Sequence, residues 1–587
     1  MSTLDANLGL LAARFPQVAV RVRATNRYDS LRRVCDSGER DLLAELWLGG
    51  REWKSSCLYC LSGGTEPWLI EALLKVLPAD AWLFVAEVDA AALGASLVDE
   101  TWGGLLSDPR VVLGTGPRDD GFFSALDGID VLEVADVEPL VFGPLYDRAP
   151  AAFAEALTAF AREVDTRRKL WGTALLDAPL WQENTLRNLA RLAGAPDVSA
   201  LRGAFVGRPM VLISAGPSLD ESLDFVRECR SHAILVAVNS SYRAVRRAGV
   251  VPDFVLAADP RGFTARGFAG VEVTGSWLVT TPIVHPDVVR MFEGRCFTWS
   301  GSNVLFTEIR RRRGLPVGTS LAELGTVSAC AIDLAVLMGC DRICLVGQDL
   351  AVRADGRSHV IDSFYTDLDA NRVETSRCRL LPGNTLESVP VEEKLFVYLK
   401  AFEQLVASRR AVVVRNTSRL GARIAGADYS DFDEALKWLR GGRPGLDTER
   451  TVRECAARGT TAARSTVSLR SVLDELEVFA RDTLRCAMRV AARAEEGSPE
   501  AVAAAAEDMR RMLAAHPRES AVLEGGRMGW ERFTAGRERR KAAANDVPWT
   551  SERVAIEEAW AVAEGAWALL SGLEAAREGF GARADSS

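Results

Sequence analysis

The most informative residues of the chain follow the apolar run 210–213, where Ser214-Ala215-Gly216-Pro217-Ser218 precedes a helical stretch. A glycine at the carboxyl end of a strand lets the backbone approach a phosphate, and the next helix offers unpaired N–H groups to an anion. The loop therefore predicts a nucleotide-binding site. Ser218 with Glu221 also predicts a capping box. An ordinary strand-to-helix turn explains the same residues, and the loop is neither a dinucleotide fingerprint nor a P-loop because no Gly-Lys-Ser/Thr follows.

Polar residues also end the later apolar runs of this region. Ligands of a parallel sheet bind beyond the carboxyl ends of its strands, so we expect these residues to converge if the sheet is parallel. Asn239 follows 235–238, Asp259 follows 254–256, Gly347-Gln348-Asp349 follows 343–346, and Thr280, Thr281, His285 and Ser300-Gly301-Ser302-Asn303 lie between them. Asn239, Asp259, Asn303 and Gln348 are predicted to bind the nucleotide, and Asp349 is predicted to be catalytic.

A second candidate anion site begins at Gly325-Thr326-Val327-Ser328, which opens a predicted helix running to Met338. A glycine followed by hydroxyl residues at a helix start suits an anion, so Thr326 and Ser328 join the predicted nucleotide-binding residues. A simple N-cap made by threonine or serine explains the pattern equally well.

His359 is the candidate proton carrier. It belongs to a polar, turn-rich insertion, residues 355–359, and is one of four histidines in the chain. Imidazole titrates near neutral pH, which suits a general base, so His359 is predicted to be catalytic. A loop histidine without a role is the alternative. His232 and His516 are assigned no function.

The elements that position these residues are predicted between about 200 and 427. Continuous apolar runs lie at 210–213, 234–238, 253–258, 277–284, 342–346 and 411–414, separated by helical stretches. Strands that are buried on both sides do not alternate apolar and polar residues, so the pattern predicts a mostly parallel, doubly wound α/β domain.

The length of 587 residues indicates several domains. We predict an N-terminal α/β domain with a helical connector at 1–200, a central Rossmann-like domain at 201–430 and a helical domain at 431–587. Helical stretches of the last domain are expected at 448–492, 499–515, 519–543 and 550–579. The tryptophans Trp530, Trp549, Trp560 and Trp567 are candidates for anchoring a protein partner, although aromatic residues at helical spacing more often fill a bundle core.

Composition narrows the class of protein. Hydrophobic residues make up 48% and charged residues 26%, as in ordinary globular proteins, and the net charge of −9 argues against a nucleic-acid binder. The run Arg310–Arg313 could meet an anionic ligand or partner, although such a run more often marks a solvated helix end. The eleven cysteines are irregularly spaced, and Cys57 and Cys60 lack a second Cys/His pair, so no metal site is predicted. The absence of a signal peptide and of a long apolar run predicts a cytoplasmic protein without a membrane span.

Residues 205–427 resemble the motility-associated factor (Maf) glycosyltransferases, which are also grouped with proteins called 6-hydroxymethylpterin diphosphokinase-like. The motifs that carry the resemblance are Ser214–Leu219, Val251–Val255 leading to Asp259, Gly325–Ser328 leading to Gly339-Cys340 and Gly347–Leu350, Pro382–Asn384, Phe402-Glu403, and Asn416–Ser418 before Gly421–Ile424.

The resemblance implies a core similar to bacterial sialyltransferases. It further implies transfer of a nonulosonic acid, of the pseudaminic or legionaminic type, from a CMP-activated donor to serine and threonine hydroxyls of flagellin, with no cofactor required. Gly216, Pro217 and Ser218 would lie at the phosphate, Asn239 against the donor, and His359 would be the base. The helical C-terminal domain would hold the protein acceptor.

Two other functions stay open at this point. A magnesium-dependent 6-hydroxymethylpterin diphosphokinase that uses ATP would need clustered acids. Asp253, Asp259 and Asp349 are available, but we expect only one acid at each strand end rather than a cluster. A flagellin-binding protein without turnover is the third interpretation.

Overall fold

The computed structural model describes residues 2–25, 38–116, 122–129, 131, 134–301, 303–317, 319–368, 371–409, 411–443, 447–462, 467–530 and 551–584. Ser302, Trp549 and the part of the predicted helix 519–543 beyond residue 530 lie outside the described residues, as does the side chain of Trp530. The chain divides into two compact units, Met1–Leu176 with Gly529–Thr550, and Asp177–Met528 with Ser551–Ser587.

The first unit contains a four-stranded parallel sheet. Its strands are β1 (Cys57–Ser62), β2 (Trp82–Glu87), β3 (Val111–Thr115) and β4 (Asp136–Leu140), in the order β3-β2-β1-β4. Every residue of β1 is buried, as expected for an inner parallel strand. The helices of this unit are Thr3–Arg14, Pro16–Ala24, Arg40–Leu48, Pro67–Val76, Ala90–Ser96, Thr101–Leu105 and Gly143–Tyr146, and Ser124–Gly128 is a 3-10 turn. The unit boundary falls within the long helix Pro150–Leu192.

The second unit is built on an eight-stranded parallel sheet, which confirms the predicted central sheet. Its strands are β5 (Pro209–Ile213), β6 (Ile234–Val238), β7 (Phe254–Ala257), β8 (Trp277–Thr280), β9 (Cys296–Thr298), β10 (Arg342–Val346), β13 (Val413–Asn416) and β14 (Ala427–Tyr429). A separate antiparallel hairpin is formed by β11 (Arg379–Leu381) and β12 (Val389–Val391). The order of the large sheet is β14-β13-β10-β5-β6-β7-β8-β9.

Helices cover both faces of this sheet, which is why its central strands β5, β6 and β7 consist of apolar residues. In β5, Val211 and Ile213 belong to one buried cluster, while Met210 and Leu212 belong to another. Successive side chains of a strand point to opposite faces, so each face has its own core. The covering helices and turns are Val198–Leu201, Leu219–Cys229, Asn239–Arg247, Gly262–Phe268, Pro286–Met291, Val304–Arg312, Val327–Met338, Phe364–Asp367, Thr375–Arg377, Glu393–Ser408 and Phe432–Arg440.

The C-terminal region is helical, as predicted, and its helices are Thr448–Ala462, Leu469–Glu495, Pro499–Ala515, Pro517–Trp530 and Ser551–Ala584. These helices belong to the same compact unit as the large sheet. Val472 and Leu569 lie in the buried cluster that also contains Val211. In the described part of the chain, no helix combines the length and apolarity needed to cross a membrane.

Candidate functional site

The order of the large sheet reverses between β5 and β10, and the loops that follow these two strands meet there. The Gly216 N–H donates to the carbonyl of Gly347 at 2.7 Å, and the Ser214 N–H donates to the carbonyl of Val346 at 2.8 Å. Gly347 has a φ of +66°, and a Cβ atom at this position would overlap the carbonyl of Ser214. The two loops therefore fill the crevice in which an α/β sheet usually binds its ligand.

In this crevice a buried carboxylate lies at the N-terminus of the helix Leu219–Cys229, which follows β5. Asp349 accepts hydrogen bonds from the Ser218 N–H at 3.1 Å and the Ser218 hydroxyl at 2.7 Å. Burial raises the pKa of Asp349 to about 6, and the hydrogen bonds from Ser218 partly oppose this rise. Gly216 is required because a Cβ atom there would lie 2.8 Å from the Asp349 carboxyl carbon and 2.5 Å from the Gly347 carbonyl oxygen.

The predicted capping box at Ser218 and Glu221 is wrong. Ser218 occupies the N-cap position of the helix Leu219–Cys229, but its side chain makes no capping hydrogen bond. Its hydroxyl is directed to Asp349 instead, and Glu221 pairs with Arg353 at 2.8 Å. The acceptor at this helix start is thus a carboxylate from the end of another strand.

Gln348 and Ser328 are brought together by Ser214. The Ser214 hydroxyl donates to the side-chain oxygen of Gln348 and lies 3.0 Å from the hydroxyl of Ser328. All three side chains are buried. Their polar groups therefore join the start of the helix Val327–Met338 to the ends of β5 and β10.

A third loop, which follows β13, holds Asp349 from the other side. The Ala422 N–H donates to the Asp349 carbonyl at 2.8 Å, and the Ser418 and Ser218 hydroxyls are 3.1 Å apart. Leu350 has a φ of +47°, a conformation that costs free energy in a residue other than glycine. Hydrogen bonds on both sides of the loop hold it in this conformation.

A second group of polar residues at the strand ends is only partly buried. We call Asp259, His359, Tyr365, Lys394 and Tyr398 the strand-end cluster. The rings of His359 and Tyr365 stack with centroids 4.1 Å apart, and the Lys394 ammonium lies 5.7 Å from the ring of Tyr398. Burial is the main cause that raises the pKa of Tyr365 and of Tyr398, and the negative charge of Asp259 adds to the rise at both.

The protonation states of the cluster suit acid–base chemistry. Burial lowers the pKa of His359 to about 4, with a smaller contribution from the charge of Lys394, so its imidazole is neutral at pH 7. Burial raises the pKa of Tyr365, and that of Tyr398 to about 12, so both hydroxyls remain donors. Burial also raises the pKa of Asp259, against the hydrogen bond from the Arg261 N–H. The cluster thus combines a proton acceptor with neutral hydroxyl donors.

His359 is oriented by its neighbours. Its Nδ1 atom lies 2.9 Å from the Ser358 hydroxyl, and its backbone N–H donates to the side-chain oxygen of Asn371 at 2.7 Å. When Nδ1 carries the proton and donates it to Ser358, the Nε2 lone pair is available to a substrate hydroxyl. Among the residues that the structure describes, none forms a hydrogen bond to Nε2.

Asn239 and Thr326 keep their side-chain polar groups available near the same strand ends. Asn239 begins the helix Asn239–Arg247, directly after β6, and is 8% exposed. Thr326 is the N-cap residue of the helix Val327–Met338 but makes no side-chain capping bond. A Cβ atom on the preceding Gly325 would lie 3.4 Å from the ring of Tyr398, which places this helix start beside the strand-end cluster.

Other predicted residues lie elsewhere. Asn303 caps the helix Val304–Arg312 by accepting from the Phe306 N–H at 2.8 Å and donates to Thr185 at 2.9 Å, so both ends of its carboxamide are engaged. Asp253 precedes β7 and therefore lies at the opposite edge of the sheet from Asp259, where it accepts from the Leu235 N–H and pairs with Arg230.

Sequence reasoning missed three residues of the cluster, Tyr365, Lys394 and Tyr398. It also missed a polar face of the helix Pro150–Leu192, where Asn184 donates to the carbonyls of Pro260 and Ile283, and Asn188 donates to those of Pro282 and Val284. These amides hold the loops that follow β7 and β8. The scarcity of tyrosine, seven in 587 residues, is the signal that would have drawn attention to Tyr365 and Tyr398.

In the described ranges, no three His, Cys, Asp or Glu side chains are grouped so as to hold a metal ion. The described cysteines are free thiols, and most are buried. Burial raises the pKa of Cys57 to about 11 and that of Cys60 further, so both thiols are protonated at neutral pH.

Comparisons with known proteins agree with this architecture. The sequence model of a family described as 6-hydroxymethylpterin diphosphokinase MptE-like matches residues 183–355. Among solved structures, the chain is similar to the Maf glycosyltransferase from Magnetospirillum magneticum AMB-1, with a TM-score of 0.57 and 14% sequence identity over 98% of this chain and 96% of that chain. No curated protein sequence matches the chain. The predicted resemblance is therefore confirmed, and the chain has a Maf-like glycosyltransferase fold.

Proposed function

We propose that this chain is a glycosyltransferase that moves a nonulosonic acid, of the pseudaminic or legionaminic type, from a CMP-activated donor to serine or threonine hydroxyls of flagellin in the cytoplasm. The observation that carries the proposal is the strand-end cluster, in which the ring of a neutral His359 stacks on that of Tyr365, a hydroxyl donor. The Maf-like fold supports the reaction class.

His359 acts as the base in this proposal. Its Nε2 atom takes the proton of the acceptor hydroxyl while the hydroxyl oxygen bonds to the anomeric carbon of the sugar. The bond from that carbon to the phosphate oxygen breaks, and CMP leaves with the electron pair. A pKa near 4 makes the imidazole a weak base, but the carboxylate and phosphate of the bound donor raise this pKa by stabilising the imidazolium ion.

The tyrosines and the nearby helix start receive the leaving phosphate. Hydroxyl donors fixed in place stabilise charge that develops in the transition state. Tyr365, Tyr398 and Thr326 supply such hydroxyls, the first turn of the helix Val327–Met338 supplies N–H groups, and Lys394 supplies a positive charge. We assign Asn239 and Asp259 to the sugar or nucleoside of the same donor, because both follow neighbouring strands at this edge.

The phosphate therefore lies by the Thr326 helix start rather than against Gly216, Pro217 and Ser218. The Ser218 N–H and hydroxyl already donate to the Asp349 carboxylate. A phosphate placed beside that carboxylate would bring two anions together in a buried site, which raises the free energy of binding. In this assignment Asp349, Gln348 and Ser328 position the loops, and Asp349 does not contact the donor.

Calorimetric binding of CMP and of ATP tests the proposal, each measured in EDTA and in excess magnesium. We expect CMP to bind in EDTA and ATP to give no heat. Transfer of the sugar to purified flagellin by the wild-type protein is the direct assay. Failure of CMP to bind in either condition would refute the donor assignment.

The family description that matches residues 183–355 favours one second candidate, a diphosphokinase. The placement of the acids supports the diphosphokinase less well. Asp253 lies at the amino ends of the strands, Asp349 is hydrogen-bonded to Ser218, and of the three acids only Asp259 belongs to the strand-end cluster. Magnesium-dependent binding of ATP without binding of CMP would make this candidate the better one.

One variant distinguishes the enzyme from a non-catalytic flagellin-binding protein. Replacing His359 by Asn should slow transfer at least about 100-fold while leaving flagellin binding intact. Binding without any transfer in the wild-type protein would identify the non-catalytic alternative.

A further inference from the structure

The C-terminal helix Ser551–Ala584 carries two exposed tryptophans on one side. Trp560 is 48% exposed and Trp567 is 61% exposed, although tryptophans in a helical bundle are expected to fill its core. The opposite side of the same helix is buried through Ala559, Val562, Ala566 and Leu569. The helix is therefore already anchored by its inner face, and the tryptophans are not needed for that packing.

The exposed residues follow a helical stripe. Trp560, Glu564, Trp567, Ser571 and Glu574 are all exposed and are spaced alternately by four and three residues. This spacing is that of the seam along which one helix packs against another. We call these five residues the tryptophan stripe. Its geometry fits a partner helix rather than a small ligand.

The charge of the stripe defines its partner further. Glu564 and Glu574 have no ion pair in the described structure, and no lysine or arginine occurs between Arg553 and Arg577. A partner that covers the stripe must therefore bring apolar side chains for the tryptophans and basic side chains for the glutamates. An anionic membrane surface is disfavoured because it would be repelled by the same glutamates.

We propose that the tryptophan stripe is the docking surface for an amphipathic, basic-flanked helix of the protein acceptor. The inference rests on the proposed function, which makes flagellin the acceptor and hence the probe. Tryptophan is enriched among the few residues that carry most of the binding energy of an interface, and truncating such a residue costs roughly 2 kcal/mol, or about 30-fold in affinity.

The test measures the affinity of the full-length protein for purified flagellin. The double variant Trp560→Ala/Trp567→Ala should bind flagellin at least about 30-fold more weakly. The variant Glu564→Lys should also bind more weakly, and its loss of affinity should be larger at low salt than at high salt. Val206→Ala, at a residue that is 56% exposed elsewhere in the same unit, is the matched control and should bind as the wild type does. CMP binding, measured in parallel, should be the same in all variants.

The outcomes separate this inference from the proposed function. Unchanged flagellin affinity in the double variant would overturn the docking surface while leaving the transferase intact. CMP binding together with no flagellin binding by the wild type would overturn both the acceptor and the docking surface, but not the donor assignment. Loss of binding to phosphatidylglycerol vesicles in the double variant, with flagellin binding retained, would identify a membrane surface instead and also overturn the inference.

Discussion

Replacing Gly216 by Ala is the sharpest test of the sealed crevice between β5 and β10. The added Cβ atom would lie 2.5 Å from the carbonyl oxygen of Gly347 and 2.8 Å from the carboxyl carbon of Asp349. Real Cβ contacts are not that short, and both neighbours are fixed. The Asp349 carboxylate is held by Ser218, and the Gly347 carbonyl accepts the N–H of residue 216 itself.

The cost follows from the two ways in which the structure can respond. If the contact persists, overpacking in a close-packed interior costs about 1–3 kcal/mol. If Asp349 moves away instead, its carboxylate loses hydrogen bonds from the Ser218 N–H and hydroxyl. A hydrogen bond to a charged group contributes about 1.5–3 kcal/mol. The chain takes the cheaper route or a mixture of both, so we expect a destabilisation of about 2–3 kcal/mol.

Hydrogen exchange of peptides that cover residues 209–230 measures this loss, because it reports local opening in a chain with two units. Protection should fall by roughly 30- to 150-fold, the equivalent of about 2–3 kcal/mol. Gly194→Ala is the control, since no heavy atom lies within 4 Å of its added Cβ atom. Equal protection in the Gly216→Ala and Gly194→Ala variants would refute the argument that Asp349 fills this helix N-terminus.

Three further predictions concern the carboxylate and the strand-end cluster. The pKa of Asp349 rises from 3.8 in the unfolded chain to about 6, so the folded state favours the protonated form. The loss is largest across the interval between the two pKa values, so stability should fall by about 2 kcal/mol as pH rises from 4 to 7. Asp349→Asn should flatten this slope in unfolding free energies measured at both ends. His359→Asn should lower kcat for transfer to flagellin at least about 100-fold without weakening CMP binding. Ser358→Ala should lower kcat by a smaller factor, and equal losses of kcat in the two variants would contradict the assignment of His359 as the base. Tyr365→Phe and Tyr398→Phe should each lower kcat about 100-fold with little change in KM, and a change in KM alone would show that the hydroxyls bind the ground state instead.

The large sheet was predictable because its central strands β5, β6, β7 and β10 are buried on both faces. Continuous apolar runs such as 234–238 and 342–346 coincide with β6 and β10. The short strands β9 and β14 were not predicted, since three residues carry too little pattern. The run 277–284 was predicted too long because its second half is a loop that is held by Asn188 rather than by a strand.

The location of the candidate site was predictable from the sequence, but the hydrogen bonds among its side chains were not. The sequence shows polar residues at the ends of β6, β7 and β10, and the structure places Asn239, Asp259 and Asp349 there. Which of their polar groups are already engaged depends on side chains far away in sequence. Asp349 bonds to a serine 131 positions earlier, and Asn303 to a threonine 118 positions earlier. Tyr398 reaches the cluster from a helix whose apolar pattern gives no reason to single it out.

Both sheets of this chain place a buried acid at the end of one strand, beside a glycine-containing loop that follows the neighbouring strand. In the first unit, Glu87 at the end of β2 is fully buried and accepts the N–H of Gly64, which follows the neighbouring strand β1, at 3.0 Å. In the second unit, Asp349 after β10 accepts the N–H of Ser218, which follows the neighbouring strand β5. Each carboxylate satisfies donors that a phosphate would otherwise need to satisfy, and burial raises the pKa of both acids. A glycine at the end of a strand therefore indicates close approach by a second backbone and its acid as readily as approach by a nucleotide. The acid at the end of the adjacent strand is the feature that distinguishes the two cases, and in this chain it is the reason for our proposal that the donor binds at the strand-end cluster.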